Sequence, residues 1–324
     1  MKRLLFLLVL LLAARGGWAQ QATAYQDLIR LVETPGAVFV QDSLFMDEAE
    51  VANLHWLEYL HLLRQDSTEA QYQAAKPDTA AWEQLSANDP YTRYYLRYPG
   101  FRYFPVVGVS YAQAVRYCRW RSALVNQRMH SAEYLRKHPK LKKYDFRLEY
   151  RLPTSREWEL AAAGRLAPAA QPYGQLYPPV PGSQRYRKQL VPKAAATACH
   201  QQMDPSWADA AVFHMDFNVR EHYYAGTPRQ AFNCPALPQP LGSLNDGTAI
   251  TGYIYAYAPN DYGLYNMIGN VAELTATPGV AKGGSFWHST KDFTLETSFP
   301  YAQPQMWLGF RCACTVHIRP KAAE

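Results

Sequence analysis

Asn260-Asp-Tyr-Gly-Leu-Tyr-Asn-Met-Ile-Gly-Asn-Val-Ala-Glu273 packs three asparagines, an aspartate and a glutamate into fourteen residues. Such a run is a set of oxygen donors at close spacing, and a hard cation such as Ca²⁺ wants six to eight oxygens from carboxylates, amides and backbone carbonyls. The plainer reading is that the same side chains hold loops together through backbone hydrogen bonds. Two short motifs follow it, Gly283-Gly284-Ser285 and Gly309-Phe310-Arg311-Cys312.

Three further stretches precede it. Phe45-Met-Asp-Glu-Ala-Glu50-Val51-Ala-Asn53 runs into a helical pattern with apolar Val51, Leu54, Leu57, Leu60 and Leu63, and with Trp56 and Tyr59 beside them. Pro105-Val-Val-Gly-Val109-Ser110-Tyr111 opens a second helix, and Tyr150-Arg-Leu-Pro-Thr154-Ser-Arg-Glu157-Trp158 a third. Asp47 with Glu50, Ser110 with Gln113 and Thr154 with Glu157 all read as capping boxes at helix starts. Trp158, Ala161 and Ala162 face inward, and Gly164 stops the third helix. Gly108-Val-Ser110-Tyr-Ala112 falls short of a nucleophile elbow, so Ser110 is a cap.

These stretches, taken in chain order over residues 36 to 316, resemble the signatures of the formylglycine-generating enzyme (sulfatase-modifying factor) family. The resemblance implies an α+β fold related to C-type lectins, mixed and loop-rich, with few short helices and strands. It also implies a calcium site made by the side chains of Asn266 and Glu273 with the carbonyls of Gly269 and Val271. A second, more loosely aligned site would use the Asn218 and Asp246 side chains and the Val219 and Thr248 carbonyls. By the same resemblance Cys118 pairs with Cys312, closing a loop of about 200 residues. On a chain-entropy account such a bond stabilises by about 4–5 kcal/mol.

The family's enzymes convert a sulfatase cysteine to formylglycine with a copper-bound cysteine pair placed after Gly-Gly-Ser. Here those two positions hold His288 and Phe293, so copper is not expected. Ser285 and His288 remain as a candidate cleft, with no catalytic residue assigned. His214, Asp216, Glu221 and His222 form no standard metal motif, and structural roles suit them better. Asp42-Ser-Leu-Phe-Met-Asp47, Leu244-Asn-Asp-Gly-Thr248 and Pro259-Asn-Asp-Tyr-Gly-Leu-Tyr265 are similar to a cysteine-free branch found among gliding-motility and type IX secretion components of Bacteroidetes. That branch forms envelope rings or scaffolds with partners. The expected role is therefore a non-catalytic binding or structural envelope protein, with an enzyme of unrecognised cleft chemistry as the alternative.

Lys2 and Arg3 before the apolar run Leu4 to Ala14, and small residues at Gly17 and Ala19, read as a signal peptide over residues 1–19. Export to the periplasm or outer surface follows. No cysteine precedes Cys118, so an N-terminal lipid anchor has no acceptor thiol. Residues 20–35 form a lead segment, 36–318 the single domain and 319–324 a tail. The apolar run is too short to span a bilayer, which takes about 20 residues.

The formal charge of +6 falls by three when the leader is removed. That balance argues against nucleic acid as a partner, because a dedicated binder carries a basic stripe. An envelope protein or a second copy of the chain is the expected partner. A basic stretch at 121–147, with Arg121, Arg128, Arg136, Lys137, Lys140, Lys142, Lys143 and Arg147, reads as an insertion with a solvated face. Its other reading is a docking surface for an acidic partner or anionic envelope polymer. Residues 165–210, rich in Pro, Ala and Gln, read as a long loop. Cys199, Cys234 and Cys314 match no family pair, and a Cys199–Cys234 bond stays open.

Overall fold

The computed structural model describes residues 25–85, 91–164, 250–255, 259–288 and 295–322. Outside the described residues lie the leader, the 165–210 loop, Cys199, Cys234, the four histidine-site residues and Phe293. The second calcium set, Asn218, Val219, Asp246 and Thr248, lies there too.

Alternation of apolar and polar residues fixes the main sheet. In β3 (Tyr144–Arg151) Phe146, Leu148 and Tyr150 are buried while Asp145 and Arg147 face out. It pairs antiparallel with β8 (Ala313–Pro320) from Tyr144 opposite Pro320 to Arg151 opposite Ala313. β1 (Ala37–Gln41) and β2 (Leu44–Asp47) complete the order β1-β2-β8-β3.

The outer edge of β3 is closed by a helix, α5 (Tyr111–Met129). Leu148 N–H donates to Asn126 Oδ1 at 2.9 Å, and Asn126 Nδ2 donates to Leu148 O at 2.7 Å. One helical turn earlier, Tyr150 N–H donates to Ser122 Oγ at 2.8 Å, and that hydroxyl donates to Tyr150 O at 3.2 Å. Four residues of helix advance about 6 Å, close to two residues of strand, so the side chains stand in for a neighbouring strand. An open edge is thereby covered.

A second sheet runs β6 (Phe299–Pro300), β5 (Val280–Lys282), β4 (Ala272–Leu274), β7 (Leu308–Gly309). Here β4 pairs antiparallel with β5 and parallel with β7, while β6 pairs with β5. Gly309 is required in β7, since a Cβ there would meet Val271 Cγ2 at 2.7 Å. Between the layers Trp56 stacks on Tyr117 at 5.3 Å, and Phe310 meets both rings edge-on.

Two capping boxes form as the sequence predicts. Ser110 Oγ accepts from Gln113 N–H at the start of α5, and Thr154 Oγ1 accepts from Glu157 N–H at the start of α7 (Ser155–Ala163). Gly164 follows with φ 66°, its N–H on Ala161 O. Trp158, Ala161 and Ala162 are buried.

The Asp47–Glu50 box does not form. The chain there stays extended because Asp47 N–H donates to Cys312 O and Val51 N–H to Phe310 O, so α2 (Asn53–Asp66) begins only after Ala52. Asp47 Oδ2 instead accepts from Arg121 at 2.6 Å and from Cys312 N–H at 2.9 Å. The buried face of α2 is Asn53, Trp56, Tyr59 and Leu60, with Leu54, Leu57 and Leu63 half-buried. A strict three-residue spacing drifts off a 3.6-residue turn, which explains the shift.

The basic stretch is built into the fold. It spans the end of α5, α6 (Ala132–Lys137), a 3₁₀ turn at Pro139–Lys143 and the start of β3. Arg121 is not solvated; it pairs with Asp47 and lies 4.1 Å over the Tyr150 ring. Arg136, Lys137, Lys140, Lys142 and Lys143 are exposed.

Candidate functional site

The asparagines of the opening stretch take two roles. Asn260 closes its own turn, Oδ1 accepting from Tyr262 and Leu264 N–H, while its Nδ2 donates to Ala161 O at 2.8 Å. Asn270, at φ 56°, accepts Gly252 N–H at 2.7 Å and donates to Glu50 Oε1 at 2.8 Å. Asn266, at φ 49°, donates Nδ2 to Glu50 Oε2 at 3.2 Å and to Ile254 O at 3.0 Å. Glu50 is fully buried between these amides, and burial pushes its carboxyl up to about 8.

Glu273 lies beside this cluster on β4. Its carboxylate accepts Arg311 Nε–H at 2.8 Å and Nη2–H at 2.6 Å, and Trp158 Nε1–H at 2.8 Å. Both Glu273 and Arg311 are fully buried. Arg311 also donates to the carbonyls of Tyr265 at 2.7 Å and Asp47 at 3.1 Å. A buried ion pair with its remaining donors met is tolerable; one with a missing partner is not.

The first calcium set is tested by these contacts. Asn266 Oδ1 is buried and without a partner, the kind of oxygen a hard cation takes. The Glu273 carboxylate, by contrast, is engaged by Arg311 and Trp158. Of this set, Asn266 thus offers one free oxygen to a cation, and Glu273 is not offered as a free ligand. Among the described residues no group of three or more His, Cys, Asp or Glu is placed to hold a metal.

Two backbone hydrogen bonds tie this loop to the Gly283-Gly284-Ser285 turn, Gly269 N–H to Gly283 O and Phe286 N–H to Asn270 O. Gly283 sits at φ 90°, where a Cβ would meet Met267 O at 2.9 Å. Ser285 Oγ lies 2.7 Å from His288 Nδ1 and accepts Trp287 N–H at 3.1 Å. The imidazole packs against Phe299 at 4.4 Å and Trp307 at 4.5 Å. Burial lowers its pKa to about 4, so it is neutral at physiological pH. With the ring neutral, the tautomer decides which of the two donates, Ser285 Oγ–H to Nδ1 or Nδ1–H to Oγ.

Such a dyad has the contact of a nucleophile and base but not their access. Ser285 is fully buried, and an imidazole of pKa about 4 is a weak base at neutral pH. The arrangement locks a turn. Its neighbour Lys282 is also buried, its Nζ donating to Glu296 O at 2.7 Å and pairing with Glu159.

Cys118 and Cys312 are brought together as the resemblance implies, but as two buried thiols with Sγ atoms 3.4 Å apart rather than as a bridge. Cys314 is a third buried thiol. A groove of about 390 Å³ on the outer face of the main sheet, lined by Tyr25, Asp145, Arg147 and His317 among others, shares no residue with the cleft. Among the described residues no helix is long and apolar enough to cross a membrane.

Sequence reasoning read Glu50 as a helix cap and gave Arg311 and Trp158 no polar role. A signal was present for Arg311. An arginine set between Phe310 and Cys312 in an apolar strand must find an acid, and Glu273 was the acid in the neighbouring motif.

Fold and site together define a loop-rich α+β scaffold whose signature motifs meet around one buried ion pair. The sulfatase-modifying factor enzyme 1-like domain matches residues 11–316. The chain belongs to that family. Similar solved structures include variable protein 1 of Treponema denticola, at 16% identity over 87% of this chain and 92% of that one, with a TM-score of 0.41. PvdO from Pseudomonas aeruginosa is 15% identical over 66% of this chain and 63% of its own, TM-score 0.36. CarF is 15% identical over 90% and 95%, TM-score 0.37. No curated protein is significantly similar in sequence.

Proposed function

We propose that this chain is a non-catalytic binding or structural protein of the cell envelope, using the sulfatase-modifying factor scaffold without its thiol chemistry. The observation that carries this reading is the state of position 288. Where the family's enzymes place the first copper-binding cysteine, His288 is neutral, hydrogen-bonded to Ser285 and packed against Phe299 and Trp307. Position 293 is phenylalanine, which neither ligates copper nor exchanges thiols.

In this reading the chain is exported by its leader and works through a partner or a ring of self-copies, like the gliding-motility and type IX secretion branch. Calcium bound at Asn266 stabilises the loop that supports the cleft. The rival reading, an enzyme using the Ser285–His288 contact, is favoured by that one 2.7 Å distance and opposed by the burial of the hydroxyl.

Crosslinking in the native host followed by pull-down tests the proposal. Recovery of an envelope protein or of self-copies supports it. A chain that crosslinks to nothing, together with turnover of a small substrate that is lost in Ser285→Ala, overturns it.

A further inference from the structure

Among the described residues eight large apolar side chains are exposed, and three of them lie on one short run of chain with a fourth beside it. Tyr94, Tyr98 and Tyr103 are 55%, 57% and 46% exposed, and Tyr253, at 44%, stands 5.8 Å from Tyr103. Each of the first three tyrosines adjoins an arginine, Arg93, Arg97 and Arg102, all exposed and none in an ion pair among the described residues. Five of the twelve other described arginines have acids: Arg121 has Asp47, Arg147 has Glu149, Arg151 has Glu157, Arg311 has Glu273 and Arg319 has Asp145.

The platform under these side chains is rigid. Tyr98 packs on Phe101 at 5.7 Å and Phe101 on buried Tyr95 at 5.3 Å. Tyr95 is anchored through its hydroxyl to Pro105 O at 2.6 Å, and Asn53 Nδ2 holds Phe101 O at 2.9 Å. Tyr253 is braced by Tyr255, whose hydroxyl donates to Glu48 at 2.8 Å. Rigid tyrosines and forked guanidinia are the side chains that dominate protein-binding surfaces, because they bring large contact area and bidentate donors at low entropic cost.

From this juxtaposition we infer that residues 93–103 with Tyr253 form a docking face for an acidic polypeptide segment, Arg93, Arg97 and Arg102 pairing with its carboxylates while the tyrosine rings cover its apolar side chains. The inference rests on the binding role proposed above and names the surface that carries it. Three exposed cations within ten residues of chain, none in an ion pair, select for an anionic partner. The rings meet one another edge to face, at interplanar angles of 69° for Tyr103–Tyr253 and 60° for Tyr98–Phe101. That arrangement does not form the parallel stack of ring faces that successive bases of a single strand use.

A fluorescent random copolymer of glutamate and tyrosine serves as probe, compared with heparin and with oligo(dT) at equal charge. The full chain is expected to bind the copolymer more tightly than either. R93E/R97E/R102E should lose that binding by tenfold or more, and Y94S/Y98S/Y103S by severalfold with an unchanged salt dependence. K137E/K140E/K142E/K143E, on the other basic surface, should bind as the parent does. If one of the first two variants melts early, R93Q/R97Q/R102Q gives the same reading. Equal loss in the lysine variant, preference for heparin or oligo(dT), or no binding by the parent overturns the docking face. Crosslinking that still recovers an envelope partner then leaves the broader binding role standing.

Discussion

Arg311 presents its Nε–H and Nη2–H to the carboxylate of Glu273, with both side chains fully buried. The pair joins strand β4 to the segment entering β8, and its outer donors hold the carbonyls of Asp47 and Tyr265. Removing the arginine leaves an uncompensated buried carboxylate. Arg311→Met should therefore cost about 3–5 kcal/mol, while Arg311→Met with Glu273→Leu should recover much of it. Urea midpoints measure both. A single variant that loses less than about 1 kcal/mol contradicts a structural role for the pair.

His288 makes stability depend on acid. Its folded pKa of about 4 lies below the ordinary value of 6.5, so the unfolded chain binds the extra proton between those limits. The contribution is fully present above about pH 6.5 and is lost as pH falls from there to about 4. The loss is on the order of 3 kcal/mol before solvent screening, and smaller after it. His288→Phe should flatten this part of the profile, read by thermal melts across the range. A parent and variant with parallel profiles would refute it.

How much of this was legible in sequence depends on the range of the forces involved. Local signals carried: Ser110 and Thr154 cap helices because the acceptor and the free N–H lie three residues apart. The same chemistry misled at Asp47, where backbone pairing to Cys312 and Phe310, more than 260 residues away, kept the chain extended. Arg121 sat in a basic run and was read as solvated; only the fold brings it to Asp47. Glu273 was found as a polar residue of consequence, but its partner Arg311 comes from another motif. The sequence could not rank a cation against an arginine.

Calcium bound at Asn266 should stabilise the native state by about 2.7 kcal/mol at a hundredfold excess over its Kd. Chelator should lower the melting temperature, and Asn266→Ala should abolish that response by removing the set's buried, unpartnered side-chain oxygen. Melting that ignores chelator in the parent removes the ion from this account.

Cys118 and Cys312 should join on oxidation, since their sulfurs are already 3.4 Å apart in the core. Non-reducing peptide mapping should find the two in one fragment and Cys314 as a thiol. Cys312 joined to Cys199 or Cys234 instead would contradict the assignment.

We propose that the scaffold has no formylglycine-forming chemistry. Purified protein, incubated with copper, oxygen and a peptide carrying Cys-x-Pro-x-Arg, should leave the peptide cysteine unchanged by mass. An aldehyde product whose yield depends on the protein would contradict the claim and return His288 and Ser285 to a catalytic role.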